Sequence, residues 1–330
     1  MIARRAVLVS ALAAGLGARA AAAAEADYRA ALSVAYGGPV DPVLAHARAT
    51  DAARVAQDRA DSLLRSQGLA AGSVAERLRA LARDARFLYP DDEAGCDRAV
   101  AGMNARIARL RPSLAAAFGA LPIAQAEVRR MPPAAIAAGK GGYREPGAYY
   151  VDLRKIRDRP AWTLASVAFH EVIPGHLLQL PLQAAANPPA ERVKASGAYF
   201  EAWGIYAEQL ARDLGAYARD PLAEIGYLQW RLFRLGRVIA DIGLGALGWS
   251  PDRAIAVLTE LQAFDVAFVT IEADVARMVR EPGRFAADGL GALEIARLRP
   301  RDRVAWPAFH RKLLIDGPWP PGRLAEVVAG

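Results

Sequence analysis

The stretch FHEVIPGHLLQ, Phe169 to Gln179, sets two histidines six positions apart around a Pro-Gly pair, with a glutamate directly after the first. Six residues of straight α-helix advance about 600°, which would leave His170 and His176 about 120° apart and their imidazoles diverging. Pro174 prevents a straight helix. It has no N–H to bond the carbonyl of His170, and its ring crowds that turn. Gly175 opens backbone angles closed to other residues. The helix must therefore kink, bulge or break between the two histidines. A distortion that absorbs two residues returns His176 to about the place of a histidine four positions on, the spacing of the zinc helix H-E-x-x-H. The alternative is that Pro-Gly simply ends a helix and His176 caps the freed carbonyls. Spacing alone leaves both open. The chain has only four histidines, His46, His170, His176 and His310, so this segment holds half of them.

Hydrolytic zinc sites commonly use two histidines and one carboxylate and leave a fourth position for water. The segment YFEAWGIYAEQL, Tyr199 to Leu210, offers the carboxylate. Glu201 and Glu208 stand seven residues apart, two helical turns, and so share a face. Glu201 sits among Phe200, Ala202, Trp203 and Ile205, and a carboxylate in apolar company wants a cation. His170, His176 and Glu201 are therefore the expected ligands of a Zn2+ ion, with Glu208 orienting a histidine through its other ring nitrogen. Glu171 then falls beside the metal without binding it, in the position of a general base that takes a proton from water and passes it to the leaving amine.

A chain of 330 residues is long enough for one large helical body or two lobes in contact. Its 54% hydrophobic and 23% charged residues suit a soluble globular protein and argue against long disorder. The first residues read as an export signal over 1–24: Arg4 and Arg5, an apolar run from Ala6 to about Gly17, then small residues before Glu25. The Arg-Arg-Ala-Val-Leu-Val order suits a twin-arginine signal and the apolar core equally suits the general secretory route, so the expected destination is the periplasm. Removal of that segment takes away Arg4, Arg5 and Arg19 and no acid, which lowers the formal charge from +7 to +4. The remaining basic residues are scattered among acids, which argues against nucleic acid as a partner. No other segment reaches the length of a membrane span. Cys96 is the sole cysteine, so no internal disulfide or cysteine-based metal site can form.

From Asp27 to about Leu121 the periodicity is helical, giving a helical N-terminal region over 25–130. His46 lies there with no other ligand nearby and reads as a surface or packing residue. Between Leu121 and Arg159 the pattern turns to Gly and Pro punctuation with the aromatic run AYYVDL, where short strands are expected. Helices resume before His170 and continue to the end, and Ser250 followed by Pro251 reads as an N-cap with proline at the first helical position. The expected fold is mainly α, a multi-helical body with a small β-sheet preceding the metal-binding helix. Arg234, Arg237 and Asp241 fall at spacings of three, four and seven on one helix, which suits a buried ion network.

HEVIPGHLLQ followed by EAWGIYAEQL resembles the bacterial DUF885 family, whose members look like zinc metallopeptidases and whose pattern reads H-E-x-x-P-G-H-H-x-Q, then E-G-W-x-x-Y-x-E. REPGAYYVDL, RLGRVIADIGLGALGWSPDRAI, REPGRFAADGLGALEIARLR and FHRKLLIDGPWP extend the resemblance from about Gly142 to the end. It implies a helical peptidase-like region over 131–330 acting on peptides, with His170, His176 and Glu201 as zinc ligands and Glu171 as base. His310 matches the family's closing element and is carried over as a catalytic candidate. Tyr149 and Tyr150 lie in the strand before the metal helix, which in zinc peptidases often pairs with substrate backbone, and are candidates for substrate binding. The chain departs from the pattern at Leu177, Ala202, Ile242, Gly245, Arg284 and Asp288. Three of these replace a histidine or tyrosine, groups that donate to a developing oxyanion. The implied function is an exported zinc peptidase; the alternative is a catalytically weakened zinc-binding relative that acts as a peptide-binding module.

Overall fold

The structure, a computed structural model, describes residues 22–330. The expected export segment lies outside the described residues up to position 21.

Helix starts follow local capping chemistry. After α1 (22–36), Asp41 accepts from the amides of Val43 and Leu44 at 2.8 and 3.1 Å and opens α2 (Pro42–Ser66). Ser73 and Glu76 form a reciprocal capping box at the head of α3 (Val74–Arg83). Next come α4 (Glu93–Leu110) and the short α5 (Leu114–Phe118). The chain then makes β1 (Glu127–Arg130), α6 (Pro133–Ala137), β2 (Tyr143–Glu145) and β3 (Ala148–Val151), all inside the segment read as strand-bearing. Helices take over again as α7 (Leu164–Glu171), α8 (His176–Ala185), α9 (Ala190–Ala195), α10 (Gly197–Asp213) and α11 (Pro221–Ala246). They continue as α12 (Pro251–Gln262), α13 (Ile271–Arg280), α14 (Arg284–Leu298), α15 (Trp306–Leu314) and α16 (Leu324–Ala329). Ser250 caps α12 as its sequence implies, accepting from the amide of Arg253 at 3.2 Å. Among the described residues the protein is mainly α with one small sheet.

The 26-residue α11 is the axis of the body and packs along α2, α12 and α14. The face of α2 toward it is a stripe of buried alanines, Ala45, Ala49, Ala53, Ala56 and Ala60, which recur at helical spacing and let the two backbones come close. α10 packs on α14 just as closely: a Cβ added to Gly291 would stand 2.8 Å from the methyl of Ala202. His46 packs edge-on against Trp249, with ring centroids 5.5 Å apart.

The sheet order is β1-β3-β2, with β1 parallel and β2 antiparallel to β3. Consecutive residues of a strand point to opposite faces. Tyr149 is accordingly buried, while Tyr150 stacks on Tyr143 at 4.8 Å. β3 is the middle strand with both edges paired, so its own backbone is closed to an added strand. Asn104 of α4 closes the outer edge of β1 by bonding both the amide and the carbonyl of Val128, at 2.8 and 2.9 Å. Among the described residues no strand pairs with the outer edge of β2.

Packing runs without a break across residue 130. β1 precedes it and pairs with β3 beyond it, and one buried apolar cluster extends from Tyr28 to Leu324. Among the described residues no helix is long and apolar enough to cross a membrane.

Candidate metal centre

The helix carrying His170 breaks outright at the Pro-Gly pair. α7 ends at Glu171, residues 172–175 form consecutive turns, and α8 begins at His176. The Ile173–Pro174 bond is cis. A Cβ on Gly175 would stand 1.8 Å from the carbonyl oxygen of His170 and 2.5 Å from that of Phe169, so glycine alone fits there. Trp203 of α10 donates its indole N–H to the carbonyl of Pro174 at 3.0 Å and pins the turn to the next helix. The break brings the two imidazoles together edge to face, with ring centroids 4.9 Å apart.

α10 supplies the third group. His170 Nε2 lies 3.6 Å from Glu201 Oε2, and His176 Nε2 lies 3.7 Å from Glu201 Oε1. These separations are too long for hydrogen bonds. They are close to the spacing of about 3.4 Å expected between two ligands each about 2.1 Å from a shared tetrahedral ion. One atom from each of the three residues lies within 4.8 Å of the others. Both remaining ring nitrogens are engaged: His170 Nδ1 with Glu208 Oε1 at 2.9 Å and His176 Nδ1 with Gln179 Oε1 at 3.0 Å. Glu208 is itself held by the Ser166 hydroxyl, which donates at 2.5 Å. Protons placed on Nδ1 leave both Nε2 lone pairs aimed at Glu201, the tautomer that binds a cation. His176 Nε2 is buried and has no hydrogen-bond partner. A buried polar atom without a partner is costly, and a cation at this point would satisfy it. The residues fit a metal ion.

Electrostatics agree with that fit. Burial disfavours the charged form of His170, yet the carboxylates of Glu201 and Glu208 overcome it and hold the imidazole proton up to about pH 9. Burial likewise opposes ionisation of Glu201, but the two histidines keep it well below the ordinary carboxylate range. Without an ion the cluster thus recruits a proton as its positive charge.

A cleft of about 410 Å³ opens beside this cluster. Glu171 lines it, and its carboxylate pairs with the guanidinium of Arg144 on β2. Tyr149 also lines it, with a hydroxyl whose pKa burial raises well above the ordinary value, whereas Tyr150 faces the other side of the sheet. His310 is not brought to the cleft. It is fully buried on α15 among Phe118, Trp203 and Phe309. Its Nδ1 donates to the carbonyl of Ala117 at 2.7 Å and its Nε2 accepts from the Tyr206 hydroxyl at 2.7 Å. Burial pushes its pKa down to about 4, so the ring is neutral. The positions that depart from the family pattern also separate: Leu177, Ala202 and Ile242 are buried, and Arg284 and Asp288 line the cleft. Gly245 lies against Tyr28, whose ring a Cβ would meet at 1.9 Å.

The charged groups expected to form one network along α11 have different partners. Arg237 makes a bidentate pair with Asp274 of α13, at 2.6 and 2.7 Å. Asp241 accepts from the amides of Gly283 and Ala286 at 2.9 and 2.8 Å and so caps α14. Arg234 points into the cleft. Sequence reasoning also missed Arg144, Ser166, Gln179 and Gly204. Ser166 and Gln179 had a usable signal, standing four residues before one histidine and three after the other, on the same helical faces.

A family model for DUF885, bacterial proteins of unknown function, matches residues 5–328. The chain belongs to this family. The match extends well N-terminal of Gly142 and takes in α1 to α6. Among solved structures, the DUF885 chain is similar to one described as a "putative lipoprotein" from Colwellia psychrerythraea, at 29% identity and TM-score 0.80, covering 92% of this chain and 55% of that one. It also shares the fold of a "putative lipoprotein of unknown function" from Shewanella oneidensis, at 18% identity and TM-score 0.70, covering 92% and 59% respectively. The chain thus spans just over half the length of each. No curated protein matches it.

Proposed function

We propose that this DUF885 protein is an exported zinc-dependent peptidase whose ligands are His170, His176 and Glu201. The carrying observation is the buried, unpartnered Nε2 of His176, which faces the same carboxylate as Nε2 of His170. Zinc, when bound, supplies Lewis-acid polarisation of a carbonyl and makes water acidic enough to deprotonate near neutral pH. Glu208 and Ser166 fix the orientation of His170, and Gln179 fixes that of His176. Glu171, at the end of α7 in the cleft, takes the proton from the attacking water and gives it to the leaving amine. Arg144 holds the Glu171 carboxylate from β2, and the open outer edge of β2 supports extended binding of a peptide beside it. The basic and apolar start of the chain, together with lipoprotein-described neighbours, supports export to the periplasm.

One observation favours the alternative, a zinc-binding relative that holds peptides without cutting them. The base is occupied by Arg144, and no histidine or tyrosine stands at positions 177, 245 or 288. Metal analysis and a peptide-library digest separate the two. The wild-type protein should hold about one zinc per chain, and His176→Ala should hold none. Glu171→Gln should keep its zinc while hydrolysis falls by about a hundredfold or more. Full metal in His176→Ala would remove the site; zinc and peptide binding without any cleavage by wild type would leave the binding module.

A further inference from the structure

Six arginines line the cleft, and one of them, Arg277, shares Asp274 with Arg237 at 3.8 Å. Arg144 is taken by Glu171, Arg237 by Asp274 and Arg284 by Glu281. Arg159 and Arg234 also line the cleft, and among the described residues neither has a carboxylate or hydrogen-bond partner for its side chain. Both are partly buried. The Nε of Arg234 is shut off from solvent with nothing to donate to. Its guanidinium is held in place over Trp230 and Phe233, 5.7 and 5.2 Å from the ring centroids.

A guanidinium desolvated without a partner is costly, and proteins retain such groups where a ligand completes them. Asp288 lines the same cleft but makes no ion pair with Arg234. A divalent ion on His170, His176 and Glu201 would add still more positive charge.

We propose that the cleft selects substrates bearing a carboxylate, which Arg234 binds through its planar fork with Arg159 as the second cation. The proposal rests on the peptidase reading of the same site and names its substrate class. Arg234 is on the rigid α11, one of whose neighbouring side chains, Arg237, is locked to α13, so the fork is presented by the scaffold rather than by a loop. The carboxylate has two sources in a peptide, a free C-terminus and an acidic side chain.

Calorimetric binding to the zinc-loaded protein tests this with two peptide pairs: acetyl-Gly-Ala-Ala as free acid against its C-terminal amide, and acetyl-Gly-Asp-Ala-amide against acetyl-Gly-Asn-Ala-amide. The acid-bearing member of at least one pair should bind about 10- to 100-fold more tightly, the range of one charge-assisted contact. Preference in the first pair assigns the C-terminus, and preference in the second assigns a side chain. Arg234→Gln should erase the preference for the acid-bearing member of the pair. Arg234→Lys, which keeps the charge but not the fork, should lose most of it and covers a failure of the glutamine variant to fold. Equal affinity within both pairs, or a preference that survives in Arg234→Gln, overturns the proposal. Selective binding of the acid without hydrolysis leaves the proposal standing and removes the peptidase reading; hydrolysis of acid and amide with equal affinity does the reverse.

Discussion

Gly204 gives the sharpest test of the proposed metal centre, because it is none of the proposed ligands and yet determines where the His170 imidazole sits. It lies three residues after Glu201 and four before Glu208, on the face of α10 that carries both carboxylates. The imidazole of His170 rests on that bare stretch of helix. A Cβ at position 204 would approach its ring at 2.6 Å from Cε1, 2.8 Å from Nε2 and 3.0 Å from Nδ1. Ordinary contact begins at 3.4 Å, so in Gly204→Ala the ring must retreat by about 0.8 Å, the difference between 3.4 and 2.6. Metal–ligand distances tolerate deviations of only about 0.2 Å. The same retreat strains the 2.9 Å contact between His170 Nδ1 and Glu208. Disturbing a ligand's orienting partner typically costs about 10- to 100-fold in metal affinity. Gly204→Ala should therefore bind zinc at least that much more weakly, a loss of about 1.4 to 2.8 kcal/mol. The helix itself should not suffer, since alanine is favoured over glycine within helices by about 1 kcal/mol. Competition against a chelator of known affinity measures the first quantity, and helical circular dichroism of the metal-free variant checks the second. A variant that binds zinc as tightly as wild type would refute the placement of His170 as a ligand.

Two further outcomes follow from the same geometry. Glu208→Gln should retain the fold but lose about 10- to 100-fold in zinc affinity by calorimetry, because the amide no longer enforces the Nδ1–H tautomer of His170. His310, whose folded pKa is depressed to about 4 from its ordinary 6.5, contributes stability that is present above pH 6.5 and lost as the pH falls toward 4, about 3 kcal/mol in all; denaturant melts of wild type and His310→Gln should differ in slope over that window, and identical slopes would contradict the buried neutral ring.

The parts of this structure that sequence made legible are those governed by neighbours in the chain. Ser250 opens α12 because a short polar side chain there can reach a free amide three residues on. Pro174 and Gly175 likewise dictate the break locally, while spacing alone left open whether that break would bring His170 and His176 together. Glu201 and Glu208 share a face by helical period alone. What stayed hidden depends on partners distant in sequence. The segment of β1 reads as strand-bearing, but EVRR itself is hardly a strand by composition and becomes one because it lies along β3 and is gripped by Asn104. Asp241 reads as a partner for the arginines on its own helix, but its oxygens are claimed by amides more than forty residues away. His310 reads as a catalytic candidate from its place in a family segment, while its burial is set by aromatic rings contributed by α5, α10 and α15 itself.

The departures from the family pattern take on different meanings once each has a location. Ala202 stands where the pattern has glycine, and its methyl is accommodated because Gly291 faces it across the contact of α10 and α14. That change is one of packing, compensated by a glycine on the neighbouring helix, and it leaves Glu201 on the same face. Ile242 is wholly buried, and Gly245 is covered by the ring of Tyr28, so a histidine at 245 would have to displace that ring before it could donate anything. Arg284 and Asp288 are different: they sit one turn apart on α14 and line the cleft with Glu201. The helix that carries them is anchored by Asp241 to α11, the same helix that presents Arg234. The changes that reach the cleft are confined to Arg284 and Asp288, which line it together with Arg234, so these two positions are where a difference in what the cleft binds would arise.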